Sequence, residues 1–133
     1  MIQCRNCGSM VKIDLASCVA CNHSFIRSIV LEGAIGSVSA SLRIAVGSAL
    51  LQLTIGDDAR FAATEQFHLD RPRGGLWFLF PKDRTRNATF VNGASVPSAG
   101  VELKDGDEIS LAGKAGRMKV RIVRDSDLHD RPI

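Results

Sequence analysis

Residues 84–93 read RTRNATFVNG, and residues 103–109 read LKDGDEI. In the first stretch the apolar pair Phe90-Val91 makes a short strand that enters Asn92-Gly93, a dipeptide suited to the positive φ of a tight hairpin turn. Asp105-Gly106 repeats the device, with Asp105 placed to bond its own following backbone. Both dipeptides are read as structural turns. In front of the first strand stand Arg84, Thr85, Arg86 and Asn87, a polar and cationic run that a plain hairpin does not require.

Working outward, residues 27–32, 41–46, 50–55, 65–70, 76–80, 88–91, 108–111 and 117–123 are short runs rich in Val, Ile, Leu and Phe, read as strands. Glycine- or asparagine-containing turn signals separate them. Strict alternation is clearest in Gln66-Phe67-His68-Leu69-Asp70 and in Lys119-Val120-Arg121-Ile122-Val123. Only residues 57–65 are read as a candidate helical turn. This spacing predicts an all-β sandwich or barrel over 27–123, with residues 124–133 a frayed, charged tail.

The first 26 residues are of another kind. They carry all four cysteines, as Cys4-x2-Cys7 and Cys18-x2-Cys21. Each turn presents two sulfurs to one metal, and two such turns complete a tetrahedral thiolate site. Gly8 follows the first pair and Asn22 the second, where the departing chain favours positive φ. The stretch resembles the short zinc-ribbon family, with Asn22 in place of the second glycine. One structural Zn2+ on Cys4, Cys7, Cys18 and Cys21 is expected; four thiolates leave no open position for catalysis. His23 is the remaining candidate ligand, read as an ordinary ribbon histidine. So small a unit draws most of its folding free energy, on the order of 10 kcal/mol, from the metal.

Seventeen basic and 14 acidic residues give a formal charge of +3. Four thiolates and one Zn2+ would lower that to about +1, which weakens the case for a nucleic-acid partner. No run approaches the ~18 apolar residues of a membrane span. Cys4 follows the start too closely for a secretory apolar segment, so a cytoplasmic protein with reduced thiols is expected. No P-loop and no G-x-S-x-G elbow occurs, and the cysteines are committed to metal. His68 and Asp70 share a strand face but have no positioned serine, so an enzyme is not expected.

From Leu76 onward the chain resembles the forkhead-associated (FHA) domain, a β-sandwich of about 11 short strands that reads phosphothreonine peptides with loops at one end. Asn87, Thr89, Phe90, Val91, Asn92 and Gly93 match the family's NGTFVNG-like stretch, with Ala88 for its first glycine. Leu103, Asp105, Gly106, Asp107 and Ile109 match the later L-x-DGD-x-I. The resemblance implies peptide-facing roles for Arg84, Arg86 and Asn87 and structural roles for His68, Asn92 and Gly93.

The earlier half departs from the family. Gly47-Ser48 stands where Gly-Arg is expected, with Gly56-Asp57 as a second alignment, and neither supplies arginine. Glu65-Gln66-Phe67-His68 stands where Ser-x-x-His is expected, which keeps His68 but puts Glu65 in place of the serine. A carboxylate about 5 Å from a doubly charged phosphate at an effective ε of ~20 would repel it by roughly 6–7 kcal/mol.

The leading expectation is therefore a non-enzymatic protein- or peptide-binding adaptor with a degenerate phosphothreonine pocket at Ser48 and Glu65. In family terms its setting is Ser/Thr kinase and phosphatase signalling or a secretion assembly. One alternative is true phosphothreonine binding through substitute arginines from neighbouring loops, Arg71, Arg73, Arg84 or Arg86. Another is nucleic-acid binding by the ribbon through Arg5, Lys12 and Arg27, which lack an aromatic stacking surface.

Overall fold

The computed structural model describes residues 2–12, 15, 17–21, 23–71, 76–111 and 115–124. Asn22, residues 72–75 with Arg73, and the predicted tail from residue 125 onward lie outside the described residues.

The chain opens with a hairpin of β1 (Ile2–Gln3) and β2 (Met10–Val11). There follow β3 (Ile26–Glu32), β4 (Ser37–Ala40) and β5 (Ile44–Val46), then helix α1 (Ser48–Ile55) and a 3-10 helix (Gly56–Phe61). Next come β6 (Phe67–Asp70), β7 (Phe78–Pro81), β8 (Thr89–Val91) and β9 (Ala94–Ser95). The chain continues through β10 (Val101–Glu102), β11 (Glu108–Leu111) and β12 (Ala115–Arg124). Among the described residues, four strands in the order β10-β7-β6-β5 and six in the order β4-β3-β12-β11-β8-β9 form two antiparallel sheets.

Side-chain alternation decides which face of each sheet is buried. Phe67, Leu69 and Leu79 of the smaller sheet and Ile29, Leu31, Ile109, Met118 and Val120 of the larger one belong to one apolar cluster with Trp77. A second, smaller cluster joins Cys4, Val11, Cys18 and Phe25. The ribbon thus has its own miniature core, and the sandwich has another.

The strand expected at 50–55 is a helix. Leu51, Leu53 and Ile55 alternate with polar residues and so read as a strand. In the fold Leu51, Thr54 and Ile55 are the buried set, and Leu53 is 70% exposed. That i, i+3, i+4 pattern suits a run of good helix formers without Gly or Pro. Gly56, at φ +68, ends the helix and donates its N–H to the Gln52 carbonyl. Thr54 sits in the core because its hydroxyl bonds the Leu50 carbonyl at 3.0 Å. The 3-10 helix covers much of the helical turn expected at 57–65. Asp58 ties it to β12 by accepting from the Gly116 amide at 3.0 Å.

The hairpin turns follow expectation: Asn92 and Gly93 have φ of +52 and +82, and Gly106 has +90. Asp105 differs. Its carboxylate reaches across to the Ile122 amide at 2.8 Å instead of its own following backbone. The reason is that β12 runs beyond the end of β11, and loop 103–107 takes over the bonding of its exposed edge. Gly106 donates to the Val120 carbonyl and Val120 to the Asp107 carbonyl, each at 2.8 Å. Strands β4, β9 and β10 were not expected; they are short and carry few of the large apolar residues by which strands are recognised.

The helix and the larger sheet meet at Gly33. A Cβ there would lie 2.2 Å from the Thr54 carbonyl oxygen, which is backbone and cannot rotate away. Gly33→Ala is expected to destabilise the domain by about 3 kcal/mol in denaturant unfolding, as overpacking against a rigid neighbour does. Gly93→Ala, where a Cβ meets nothing within 4 Å, costs only the strain of its positive φ.

Candidate functional site

Strand β6 organises the sandwich end. Just before it, Gln66 has no exposed surface, although the alternation of 66–70 points it to solvent with His68 and Asp70. The loops fold over the sheet edge at this level and give the carboxamide its partners. Its Oε1 accepts from the Ala63 amide at 2.9 Å. Its Nε2 donates to the Asn87 carbonyl at 2.7 Å and to Thr89 Oγ1 at 3.0 Å. Gln66 therefore fastens residues 61–64 to residues 85–89. The sequence reading missed it; its one clue was a neutral amide at a strand entrance, between Glu65 and Phe67.

The hollow that results, about 330 Å³, is lined by Ser48, Phe61, Ala63, Thr64 and Arg86 among others. Gly47 permits it: a Cβ there would meet the Thr64 carbonyl oxygen at 1.7 Å. The Ser48 amide is bonded to the Ala63 carbonyl at 3.0 Å. Asn87 braces the wall, donating through Nδ2 to the Phe61 carbonyl at 3.0 Å, while Thr85 Oγ1 donates to the Asn87 carbonyl at 2.9 Å. Ser48, Arg86 and Asn87 thus come together. Arg84, exposed and at φ +62, does not line the hollow.

Glu65 is turned away. Its carboxylate lies 3.1 Å from Lys82 Nζ, with both side chains more than half exposed. The pair belongs to a neighbouring hollow that includes Arg43, His68 and Asp83. An ion pair so exposed adds little stability. Its consequence is geometric: Arg86 is the only charged residue among the described residues lining the Ser48 hollow. His68 stacks on Phe80, ring centroids 5.1 Å apart and 18° between planes. Burial, and then the charge of Arg43, lowers its pKa below the ordinary 6.5. Asp70 accepts from the Arg71 amide at 2.8 Å.

At the other end of the molecule Cys4, Cys7, Cys18 and Cys21 bring their sulfurs within 4.8 Å of one another. Cys4 and Cys21 are 3.7 Å apart, and Cys7 and Cys18 are 3.6 Å apart. A tetrahedron with ~2.3 Å zinc–sulfur bonds has edges of about 3.8 Å, so the set fits a tetrahedral metal. Gly8 adopts the expected positive φ, +81. Cys18 Sγ lies 3.4 Å from the Ala20 amide and Cys21 Sγ 3.4 Å from Asn6 Nδ2, donors that stabilise thiolate charge. His23 packs edge-on to Phe25 at 6.2 Å and is outside the cysteine cluster.

Two arginines join the ribbon to the sandwich. Arg71 donates to Ser24 Oγ and the Arg27 carbonyl, each at 2.9 Å, and to the Ile26 carbonyl. Arg124, at the end of β12, donates to the Leu15 carbonyl between the two cysteine pairs. Arg71, expected as a substitute phosphate ligand, is thus occupied at the opposite end of β6 from the Ser48 hollow. Among the described residues no helix is long and apolar enough to cross a membrane.

The FHA domain family model matches residues 46–112. Three solved structures share the fold. One, from work on phosphothreonine-dependent FHA domain interactions, is 22% identical at a TM-score of 0.56, covering 72% of this chain and 97% of that one. The FHA domain of a hypothetical protein of Arabidopsis thaliana is 21% identical at 0.58, with 87% and 95% covered. Mycobacterium tuberculosis EmbR, in complex with a low-affinity phosphopeptide, is 16% identical at 0.59; the match spans 84% of this chain but 28% of EmbR. No curated protein sequence matches the chain.

Metal analysis of the purified protein is expected to give one zinc per chain. Chelation should raise hydrogen exchange across residues 3–25 while β6, β7, β11 and β12 stay protected; a chain that neither binds zinc nor responds to chelator contradicts the assignment. The depressed pKa of His68 means that the unfolded chain takes up this proton first as pH falls. His68 thus contributes stability that is present above about pH 6.5 and lost below it. Comparing His68→Gln with the parent in melts from pH 8 to 5 should show a shallower acid loss in the variant, since the ribbon titrates alike in both.

Proposed function

The chain belongs to the FHA domain family, and on that premise we propose that it is a non-enzymatic peptide-binding module in which Arg86 supplies the cation that Ser48 does not. The observation that carries this reading is the side-chain direction of Glu65. A phosphate-repelling pocket requires that carboxylate within about 5 Å of the phosphate. With Glu65 drawn onto Lys82, the charge lining the hollow is that of Arg86. A guanidinium is always ionised and can bind a phosphate with two hydrogen bonds.

In this reading the Ser48 hydroxyl and the Thr64 edge of the hollow complete the phosphate contacts. Arg84 meets the peptide from outside the hollow, and Asn87, braced on Phe61, presents the loop to the peptide backbone. Glu65, bonded to Lys82, discriminates against acidic residues beside the phosphothreonine. His68, Asn92 and Gly93 serve the scaffold. The ribbon carries one structural zinc ion. A cytoplasmic adaptor or assembly subunit in Ser/Thr kinase and phosphatase signalling, or in a secretion system, is the corresponding role.

Calorimetric titration with a phosphothreonine peptide and its unphosphorylated counterpart tests this directly. Binding should be at least tenfold tighter for the phosphopeptide, and Arg86→Ala should abolish most of that difference. Glu65→Ser should tighten phosphopeptide binding. Equal affinity for both peptides would sink the Arg86 reading and restore that of a phosphate-independent module.

A further inference from the structure

Among the described residues, three of the four edges of the two larger sheets are blunted. Strands β9 and β10 have two residues each, and β5 has three. Arg43 precedes β5, and Glu102 ends β10. Short or charged edges of this kind discourage a sheet from adding another strand. The fourth edge, β4, differs. It has four residues, and from Gly33 to Leu42 the chain reads GAIGSVSASL, with no charge and no proline.

The register fixes which backbone groups this edge presents. Gly33 donates to the Gly36 carbonyl at 2.8 Å, so these two glycines form a hydrogen-bonded pair of the β3–β4 ladder. Bonded and non-bonded pairs alternate along an antiparallel ladder. Val38 opposite Leu31 and Ala40 opposite Ile29 therefore bond to β3. Ser37 opposite Glu32 and Ser39 opposite Val30 direct N–H and C=O outward. The side chains of Val38 and Ala40 pack on the core, while those of Ser37 and Ser39 are exposed. Helix α1 bonds the turn and not the strand: its Thr54 carbonyl accepts from the Ile35 amide at 3.1 Å. Two large apolar residues bracket the edge, Ile35 in the turn before it (66% exposed) and Leu42 in the bend after it (77% exposed).

A row of outward donors and acceptors at strand spacing fits another strand, and its uncharged sequence fits a copy of itself. With Ser37 placed opposite Ser39 of a second copy, and Ser39 opposite its Ser37, every outward backbone group of both residues is bonded. Val38 then meets Val38 of the second copy across a two-fold axis, the commonest symmetry of natural dimers. No like charges are opposed along the ladder. Leu42 of each copy reaches the level of turn 33–36 of the other, where Ile35 is exposed.

We propose that β4 is a dimerisation edge, through which two copies of this chain pair antiparallel at Ser37–Ser39 and join their six-stranded sheets into one. So few bonds and apolar contacts make an interface below the standard size, and association is weak and concentration-dependent. The edge shares no residue with the Ser48 hollow, so the inference does not rest on the peptide-binding reading.

Sedimentation equilibrium of the zinc-loaded full-length protein, from about 10 μM to about 1 mM, tests this. A transition to twice the monomer mass is expected, with slower amide exchange at Ser37 and Ser39 at the upper end. In a sample mixed from labelled and unlabelled protein, the Hα protons of Val38 in the two copies should show a nuclear Overhauser contact. Ser37→Lys/Ser39→Lys and Ser37→Glu/Ser39→Glu should each be monomeric, and their mixture should dimerise. Ser39→Lys alone should weaken dimerisation at least tenfold, and Ser95→Lys, on edge strand β9, should leave it unchanged. A monomer at every concentration, a dimer without the Val38 contact, or a dimer that survives in the folded lysine variants would each overturn the proposal.

Discussion

The Gln66 carboxamide is the contact on which the loops around the Ser48 hollow depend. It is fully buried, and it satisfies the Ala63 amide, the Asn87 carbonyl and the Thr89 hydroxyl together. Buried polar groups at low dielectric are strongly directional, because any partner left unbonded costs free energy. Loops 61–64 and 85–89 therefore have one favourable arrangement over the sheet edge. The hollow beside Ser48 and Arg86 exists because of that arrangement.

Strand β6 carries this constraint in one direction and a different one in the other. Past its last residue, Arg71 turns its guanidinium onto Ser24, Ile26 and Arg27, where the chain leaves the ribbon. Arg124 makes a matching contact with Leu15. The ribbon holds only a small apolar cluster of its own, so these charge-assisted bonds orient it on the sandwich. The ribbon is seated on the sandwich by two arginines, one just after β6 and one at the end of β12.

Much of this was legible in the amino-acid order, for identifiable reasons. Metal spacing is local chemistry, and the four cysteines converge as their spacing requires. Turn chemistry is local too, and Asn92, Gly93 and Gly106 adopt positive φ. The helix at 48–55 was not legible, because alternating Leu51, Leu53 and Ile55 fit a strand as well as Leu51, Thr54 and Ile55 fit a helix. A short apolar run is ambiguous between the two periods until something packs against it. Gln66 escaped for a similar reason: alternation assigns it to solvent, and only loops distant in sequence make that position interior.

The sequence by itself determined the thiolate cluster, the all-β character of the domain, the two hairpin turns and the family. Each depends on residues close together in the chain or on a simple period. The tertiary structure alone decided the sign of the charge at the Ser48 hollow. Glu65 and Arg86 are both candidates by position; in the fold Glu65 pairs with Lys82, and Arg86, itself exposed, lines the hollow. Electrostatics and hydrogen-bond satisfaction depend on which groups meet in space, and no local pattern encodes that.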